Sequence, residues 1–326
     1  MTTRSELLRL LSDGTFHSGT ALGKKLGITR AAVCKSIRHL TQTGLDVHRV
    51  TGRGYKLDAP LSLLERARIL KYLGAGAGDF RDRLSIVDEV DSTNAYLAEQ
   101  LAANTSFNGS ACLAETQWHG RGRRGRAWVA TPYSNVMLSM AWQFPSGPNL
   151  ISGLSLAAGV TLLQALEEFG ISGVGLKWPN DILWEQRKLA GLLADVQGEA
   201  AGPTRVILGV GVNVYISPAD AKHIDQAWVD LHSITGKLVD RNRLSALLLR
   251  HFKNMFEQFA AKGFAPFRAA WQARHLYQDK RVRLIQGERE FQGTVAGIDD
   301  NGGLIVHHAK GTQVFHSGEI SMRPVA

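Results

Sequence analysis

The fold class is decided by residues 174–214, VGLKWPNDILWEQRKLAGLLADVQGEAAGPTRVILGVGVNV, which hold four apolar runs separated by turn residues. Runs of this length are typical of β-strands, and short connections pair neighbouring strands as hairpins. Further strands are predicted upstream. Because strands outnumber helices and several of the strands are adjacent, the sequence predicts a mixed α+β sheet rather than a doubly wound one. The predicted strands are Ser85–Val90, Ala111–Glu115, Val136–Phe144, Val174–Trp178, Ile182–Trp184, Leu189–Val196 and Val206–Val214.

Three longer stretches carry the apolar spacing of helices. They predict helices over Ser152–Phe169, which Gly170 ends, over Arg243–Phe259 and over Phe264–Tyr277. The chain has no GxxxxGK[ST] sequence, which excludes a P-loop nucleotide site. The GRGRRG run has the spacing of a dinucleotide-binding motif, but no strand–helix context surrounds it and arginines fill its gaps, so a Rossmann site is rejected.

The composition excludes several protein classes. The 326 residues are 44% hydrophobic and 21% charged, as in a folded protein of two or three domains. Cys34 and Cys112 are the only cysteines, which excludes a disulfide scaffold and favours a cytoplasmic location. No apolar run reaches the roughly 20 residues that a membrane span needs, and no signal-peptide core is present. The C-terminal histidines His307, His308 and His316 do not have metal-ligand spacing with cysteines or carboxylates, so no resident metal site is expected.

The net charge of +9 is concentrated in two regions. Residues 1–60 hold ten basic and four acidic residues, a net charge of +6. The run GRGRRGR at 120–126 holds four arginines, which leaves a remainder of −1. A nearly neutral body therefore carries two basic regions, and each indicates its own anionic partner.

The first basic region has the pattern of a winged helix. Three short amphipathic helices are predicted, with Ser18 capping the second, Gly27 ending it, and Thr29 capping the third. A hairpin with a TGRG turn at 51–54 follows, as the wing would, and a linker is predicted over Ala59–Ser62. A basic helical bundle with a solvated face is the alternative, which the wing disfavours. The residues expected to contact DNA are Thr29, Arg30, Lys35, Arg38 and Arg53.

The second basic region, GRGRRGR, fits neither a stable helix nor a packed strand. Glycine leaves its backbone N–H groups accessible, and arginine supplies planar donors for phosphate or carboxylate. A loop of this kind can become ordered around an anion. The alternative, an RNA-binding or merely solvated segment, is disfavoured because the run occurs once and apolar strands flank it.

Polar groups also interrupt several apolar stretches. Each of them alone is explained by a helix cap or a turn, but their order and spacing together indicate one site. The segments are EVDSTN at 89–94, AETQ at 114–117, KWPND at 177–181, RKLAGLL at 187–193 and GVGVN at 209–213. With the winged helix and GRGRRGR, they make the chain closely resemble the bacterial bifunctional biotin–protein ligases that also repress the biotin operon.

This resemblance implies a fold and a reaction. The fold would be a winged-helix domain at residues 1–60, a biotin/lipoate protein ligase catalytic domain at 61–277 with a class II synthetase-like mixed sheet, and an SH3-like β-barrel at 278–326. The activity would be that of a biotin–[acetyl-CoA carboxylase] ligase, which uses biotin, ATP and Mg²⁺ to form biotinyl-5′-AMP. The biotinyl group would then pass to a lysine of a biotin carboxyl carrier domain. The adenylate-bound homodimer would repress at the biotin operator.

The resemblance also assigns roles, residue by residue, at the matching positions. Cations must screen the approach of a carboxylate to a phosphate, and Lys188 and Arg123 match the catalytic positions. Asp181 is either a base for the target lysine, a group beside magnesium, or a turn-forming residue. The residues matching biotin-binding positions are Ser92, Thr93, Asn94, Gln117, Arg121, Arg123 and Lys188, and those matching nucleotide-binding positions are Arg123, Arg126, Trp128, Asn180 and Asn213.

Two other functions compete with this interpretation. One is a biotin-responsive regulator without catalysis, against which the intact GRGRRGR run, Lys188 and Asn180 argue. The other is a lipoate or octanoate ligase. The polar EVDSTN segment favours the ureido ring of biotin over an aliphatic acyl chain.

Overall fold

The computed structural model describes residues 3–102, 108–145, 151–198, 202–286, 289–316 and 320–324. Their strands form a two-stranded, a seven-stranded and a five-stranded sheet. No helix among these residues is long and apolar enough to cross a membrane.

The N-terminal part has the predicted winged-helix elements. Ser18 caps the second helix by accepting from the backbone N–H of Ala21, and Thr29 caps the third by accepting from that of Ala32. Gly27 ends the second helix in the left-handed region. Both caps and the break are confirmed. The elements are α1 (Thr3–Leu11), α2 (Gly19–Leu26), α3 (Arg30–Gln42), β1 (Val47–Val50) and β2 (Gly54–Leu57).

The central part is built on the seven-stranded sheet. Its strand order is β3-β4-β5-β9-β8-β7-β6, and β3 and β4 pair in parallel while the other described neighbours are antiparallel. The predicted mixed α+β sheet is confirmed. The strands are β3 (Leu84–Val90), β4 (Ala111–Gln117), β5 (Val136–Phe144), β6 (Val174–Lys177), β7 (Asp181–Trp184), β8 (Arg187–Gly198) and β9 (Thr204–Val212).

Helices cover both faces of this sheet. On one face α7 and α10 pack together, and Trp142 of β5 stacks on Phe256 with ring centroids 5.3 Å apart. On the other face α6 packs on β4, β5 and β9 around a smaller cluster that includes Leu97 and Ile207. The helices of this part are α4 (Arg66–Leu73), α5 (Ala77–Phe80), α6 (Thr93–Ala102), α7 (Leu154–Phe169), α8 (Pro218–Ala221), α9 (Leu231–Thr235), α10 (Arg241–Lys262) and α11 (Ala265–Arg274).

Several helix boundaries differ from the prediction by one to three residues. Helix α7 begins at Leu154 rather than Ser152, α10 ends at Lys262 rather than Phe259, and α11 begins at Ala265 rather than Phe264. Helix α10 begins two residues earlier, because Asp240 caps it by accepting from the backbone N–H groups of Asn242 and Arg243. Helix α11 ends at Arg274, whereas the sequence predicted Tyr277. The backbone of His275 is extended and forms a β-bridge with Leu176, so pairing with β6 replaces the last helical turn.

The C-terminal part is a five-stranded antiparallel sheet with the strand order β13-β12-β11-β10-β14. It contacts the central part at the end of β6, where the buried indole of Trp178 donates to the carbonyl of Gly302 at 3.1 Å. The strands are β10 (Arg281–Gln286), β11 (Arg289–Ile298), β12 (Leu304–His308), β13 (Gly311–Phe315) and β14 (Ile320–Pro324).

A buried ion pair fixes the chain where it leaves the winged helix. Arg241 donates to Glu115 at 2.6 Å, and the two side chains are 1% and 5% exposed. The same groups bind the end of the linker, since Glu115 accepts from the backbone N–H of Leu64 and Arg241 donates to the carbonyl of Ser62. Tyr133, which follows the basic loop, packs into the winged-helix core. The two parts therefore share a defined contact.

His275 makes the stability of the fold depend on pH. It is buried against Trp271, and neither ring nitrogen has a hydrogen-bond partner among the described residues. Burial lowers the pKa of His275 to about 4, whereas an unfolded histidine has a pKa of about 6.5. Between these values only the unfolded chain binds the proton, so the free energy of unfolding falls as the pH falls.

The variant His275→Phe should remove up to about 3 kcal/mol of that loss, because phenylalanine fills the site and does not titrate. Urea unfolding at steps between pH 7 and pH 4 measures the difference. Parallel stability curves for the two proteins across this range would contradict the prediction.

Candidate functional site

A cavity of about 370 Å³ opens over the centre of the seven-stranded sheet. Its walls are the start of α6, the basic loop after β4, the turn between β6 and β7, and the middle of β8 and β9. The size is typical of a small-molecule site. The structure places all the residues that the sequence predicted for biotin and nucleotide around this cavity: Ser92, Thr93, Asn94, Gln117, Arg121, Arg123, Arg126, Trp128, Asn180, Lys188 and Asn213.

One end of the cavity is lined by neutral polar groups. Ser92, Thr93 and Asn94 begin α6 and are buried. The side-chain oxygen of Gln117, at the end of β4, accepts from the backbone N–H of Thr93 at 2.8 Å and lies 3.0 Å from its hydroxyl. Neutral donors and acceptors on apolar walls suit a polar but uncharged head group.

Asn94 is held on all sides by the protein. Its amide nitrogen donates to Asp195 at 3.0 Å, and its amide oxygen accepts from the hydroxyl of Ser139 at 2.5 Å. Gly209 of β9 makes room for it, because a Cβ there would lie 2.5 Å from that oxygen. Within the described structure Asn94 therefore shapes the polar end of the cavity.

The basic loop after β4 has a closed, irregular backbone. Arg121 and Ala127 form a β-bridge, and the backbone N–H of Gly122 donates to the carbonyl of Arg126 at 2.7 Å. Arg124 has a φ of 60°, in the left-handed region. The prediction that this run forms neither a regular helix nor a packed strand is confirmed.

All four arginines of this loop, Arg121, Arg123, Arg124 and Arg126, line the cavity. Arg121 donates to Asp195 of β8 at 2.8 Å, which ties the loop to the sheet beside Asn94. Burial lowers the pKa of the Arg123 guanidinium, and the neighbouring carboxylate of Asp181 opposes the shift. A partly desolvated guanidinium interacts strongly with a phosphate or carboxylate that enters the cavity.

Lys188 lies opposite these arginines. Its Nζ is 2.6 Å from the carboxylate of Asp181, and the side chains are 17% and 18% exposed. The turn that carries Asp181 is fixed by Asn180, whose amide donates to the carbonyl of Leu192 at 2.6 Å. The ammonium is therefore held at the cavity floor by a carboxylate on the adjacent strand.

Trp128 lies flat on the sheet between these groups. Its ring packs on Gly211, where a Cβ would lie 2.5 Å from the indole, and Lys188 Nζ is 5.7 Å from the ring centroid. The indole N–H is buried and has no partner among the described residues. The glycines of GVGVN are therefore required for close approach, Gly209 by Asn94 and Gly211 by Trp128.

Asn213 connects the cavity floor to the following loop. Its amide nitrogen donates to the carbonyls of Lys188 and Val229 at 3.2 and 3.1 Å. The segment that contains Trp228 runs beside β8, since the backbone N–H of Lys188 donates to the carbonyl of Ala227. Asn213 thus holds Lys188 and Trp228 on the same side of the cavity.

Sequence reasoning gave no role to several charged groups of the site, among them Lys177, Arg323 and Asp195. Lys177, inside the KWPND motif, lines the cavity, and its burial lowers the pKa of its ammonium while Asp181 opposes the shift. Arg323 reaches the cavity from β14 of the C-terminal sheet. Asp195 pairs with Arg121. The motif pointed to Lys177, whereas nothing local marked Arg323 or Asp195.

The predicted DNA-contacting residues lie on the outer side of the winged helix. Arg30, Lys35 and Arg38 of α3 are exposed, and Thr29 caps that helix. The guanidinium of Arg53, in the wing turn, lies 4.2 Å from the ring centroid of Phe16. These residues present positive charge on one helix and one hairpin.

Three regions of the chain match known protein families. Residues 86–213, which line most of the cavity, match the biotin/lipoate A/B protein ligase family. Residues 279–323 match the biotin protein ligase C-terminal domain, and residues 3–56 match a helix-turn-helix domain. Along nearly its whole length, the chain is 37% identical to the bifunctional ligase/repressor BirA of Escherichia coli strain K12, with 98% of this chain and 96% of that protein covered.

The chain belongs to the biotin protein ligase family. Other members are similar to it, including the bifunctional ligase/repressor BirA of Bacillus subtilis strain 168, at 29% identity over 98% of this chain and 99% of that protein. The solved biotin protein ligase of Aquifex aeolicus, in complex with biotin and ATP, superposes with a TM-score of 0.63 and 29% identity. The superposition covers 75% of this chain and all of the Aquifex aeolicus chain. This member of the family therefore combines a helix-turn-helix domain with the ligase fold.

Proposed function

We propose that the protein is an ATP-dependent biotin–protein ligase and a repressor of biotin operon transcription. The observation that carries the proposal is the arrangement of the cavity, in which a neutral polar end adjoins Arg123, Lys177 and Lys188. A ureido ring fits the first environment, and a carboxylate beside a triphosphate fits the second. The proposed domains are residues 1–60, 61–277 and 278–326.

In the first step, the biotin carboxylate attacks the α-phosphorus of ATP and pyrophosphate leaves. Two anions must approach each other, and charge then develops on the transferring phosphoryl group. Lys188 and Arg123 stabilise this charge, and Arg126 and Lys177 add to the positive field. Positioning and electrostatics suffice, so the step needs no enzyme nucleophile.

The other site residues position the two substrates. Ser92, Thr93 and Gln117 bind the ureido ring, while the indole of Trp128 stacks on the adenine. Asn180 and Asn213 act on the nucleotide side by fixing the strands that carry the cations. The basic loop, tied down through Arg121, excludes water from a mixed anhydride that water would hydrolyse.

In the second step, the amine of a carrier lysine attacks the carbonyl carbon of biotinyl-5′-AMP and AMP leaves. The amine must lose a proton. Asp181, whose carboxylate lies beside Lys188, is the base that accepts this proton. The acceptor is the biotin carboxyl carrier protein of acetyl-CoA carboxylase. Mg²⁺ enters with ATP as part of the substrate, and the carboxylates of Asp181 and Asp225 line the cavity as oxygen ligands of the type it prefers.

The test is to incubate the protein with labelled biotin, MgATP and a carrier domain. Biotin transfer to the carrier lysine is the expected result. Labelling by lipoate instead of biotin would favour the lipoate ligase, and biotin binding with no carrier labelling would favour a regulator without catalysis. A carrier with its target lysine changed to arginine is the control for specific transfer.

The repressor function rests on the winged helix. Arg30, Lys35 and Arg38 face the major groove, and Arg53 contacts phosphate or the minor groove. The adenylate-bound protein acts as a homodimer, which fits two half-sites of an operator. Sedimentation with and without biotinyl-5′-AMP tests this dimer, and an unchanged monomer mass would contradict it.

The variant Arg53→Ala should weaken binding to duplex DNA and reduce the slope of log K against log salt concentration by about one, because one phosphate contact is lost. Fluorescence anisotropy at several salt concentrations measures the slope. Lys237→Ala removes the same charge from an exposed site outside the winged helix and is the matched control. Equal slopes for all three proteins would argue against a wing contact.

A further inference from the structure

Ser139 lies beneath the polar end of the cavity, and no sequence motif marked it. It is on β5, its side chain is fully buried, and its hydroxyl touches two residues at the start of α6. The hydroxyl oxygen is 2.7 Å from that of Thr93 and 2.5 Å from the amide oxygen of Asn94. Ser139 therefore contacts the groups that face the ligand without lining the cavity itself.

The surroundings of Asn94 decide where the proton of Ser139 goes. The amide nitrogen of Asn94 faces three acceptors, the carboxylate of Asp195 at 3.0 Å and the carbonyls of Leu193 and Ile207 at 3.5 Å. The amide oxygen of Asn94 therefore faces Ser139. Because an amide oxygen only accepts, the single hydroxyl proton of Ser139 goes to Asn94.

This orientation leaves Thr93 as the donor at its contact with Ser139. The hydroxyl of Thr93 has two acceptors within the protein, the oxygen of Ser139 at 2.7 Å and the side-chain oxygen of Gln117 at 3.0 Å. Its one proton is used inside the protein in either case. The Thr93 oxygen therefore presents only lone pairs to the cavity.

Gln117 supplies the complementary group. Its side-chain oxygen accepts from the backbone N–H of Thr93 at 2.8 Å, which turns its amide nitrogen away. That nitrogen lies beside Gly120, at the edge of the basic loop. The polar end thus offers an acceptor at Thr93 and a donor at Gln117, the complement of the N–H and C=O groups of a cyclic urea.

We propose that Ser139 is a positioning residue: together with Gln117 it holds the Thr93 proton inside the protein, so that the Thr93 oxygen faces the cavity as an acceptor and selects ligands with an N–H group at that point. The inference rests on the proposed binding of biotin in this cavity. Ser139 sets the direction of the hydrogen bonds at this end of the cavity. It acts through Thr93 and Asn94 and touches no substrate atom itself.

The variant Ser139→Ala should raise the KM for biotin about fivefold in biotin-dependent ATP–pyrophosphate exchange, since a hydrogen bond of about 1 kcal/mol corresponds to a factor of about five. The kcat and the KM for ATP should stay within about twofold, because the groups that surround the phosphates are unchanged. Ser139→Cys keeps the shape of the residue with a weaker donor, so a rise of a few fold is expected.

A second ligand separates hydrogen-bond direction from general damage. In a cyclic carbamate analogue of biotin, a ring oxygen replaces the N–H group that faces Thr93. The ring oxygen and the Thr93 oxygen are then both acceptors, and neither supplies a proton to the other. The wild-type protein should strongly prefer biotin. In Ser139→Ala only the longer contact to Gln117 still holds the Thr93 proton inside the protein, so this proton turns more readily to the ring oxygen, and the ratio of kcat/KM for biotin to that for the analogue should fall about fivefold.

Ser245→Ala is the matched control. Ser245 is also fully buried, and its hydroxyl has no partner among the described residues. It should leave the KM for biotin and the ligand ratio unchanged. An unchanged biotin KM and ligand ratio in both Ser139 variants would overturn the inference alone, as would an equal loss for both ligands. Absence of biotin-dependent exchange in the wild-type protein would overturn the proposed function and this inference with it.

Discussion

Lys188→Ala should abolish adenylate formation, with biotin-dependent ATP–pyrophosphate exchange reduced at least about a hundredfold. The ammonium is held 2.6 Å from Asp181 at the cavity floor, where both side chains are mostly buried. Its removal takes away a positive charge from the point where carboxylate and phosphate meet. It also leaves Asp181 without its ion-pair partner, so the field at the reacting atoms becomes more negative.

The neighbouring residue supplies the control. Arg187 begins the same strand, pairs with Glu185 at 3.0 Å and lies over the ring of Trp184, outside the cavity lining. Arg187→Ala should retain exchange activity close to that of the wild type. A normal exchange rate in Lys188→Ala, with biotin and ATP at saturation, would exclude Lys188 as the catalytic cation.

Arg123→Gly should accelerate the release of biotinyl-5′-AMP at least about tenfold and cause biotinylation of lysines on bystander proteins. The guanidinium of Arg123 is partly buried beside Asp181, and its burial lowers its pKa. Charge-assisted hydrogen bonds from such a group to a phosphate are worth about 1.5–3 kcal/mol, which is one to two orders of magnitude in retention. The freed anhydride reacts with any exposed amine.

Arg124→Gly removes the same type of side chain from the same loop. Arg124 also lines the cavity, but its side chain is exposed to solvent, and its φ of 60° is one that glycine adopts without strain. Because a solvated guanidinium binds phosphate more weakly than a partly buried one, this variant should release the adenylate much more slowly than Arg123→Gly. Stopped-flow measurement of adenylate release, with bovine serum albumin as the bystander protein, compares the two. Release at the wild-type rate from Arg123→Gly would contradict a retaining role for the loop.

Local pattern predicted most of the fold. The caps at Ser18 and Thr29 were read correctly because a cap depends on a few adjacent residues. The mixed sheet followed from several adjacent short apolar runs that no helix separates, such as those of β6 to β9. The end of α11 was wrong, because pairing of His275 with Leu176 is a long-range contact that helical spacing does not contain.

The polar motifs predicted the members of the site better than its geometry. Eleven residues chosen from the sequence surround one cavity, although they come from the start of α6, β4, the basic loop and the residues after it, the turn before β7, β8 and the end of β9. Their common location is a structural finding, and their individual roles stay predictions. The motif residues Asn94 and Asn213 also proved to be bonded within the protein, which no spacing could indicate.

The sequence by itself determined the order of the elements, the family motifs and the division of the +9 charge between a winged helix and one loop. These features depend on residues close together in the chain. Only the tertiary structure placed Ser139, Asp195 and Arg323 at or beside the cavity. Each is an ordinary strand residue whose neighbours are set by sheet register and by the contact of the C-terminal sheet with the catalytic part, and such contacts leave no local mark in the sequence.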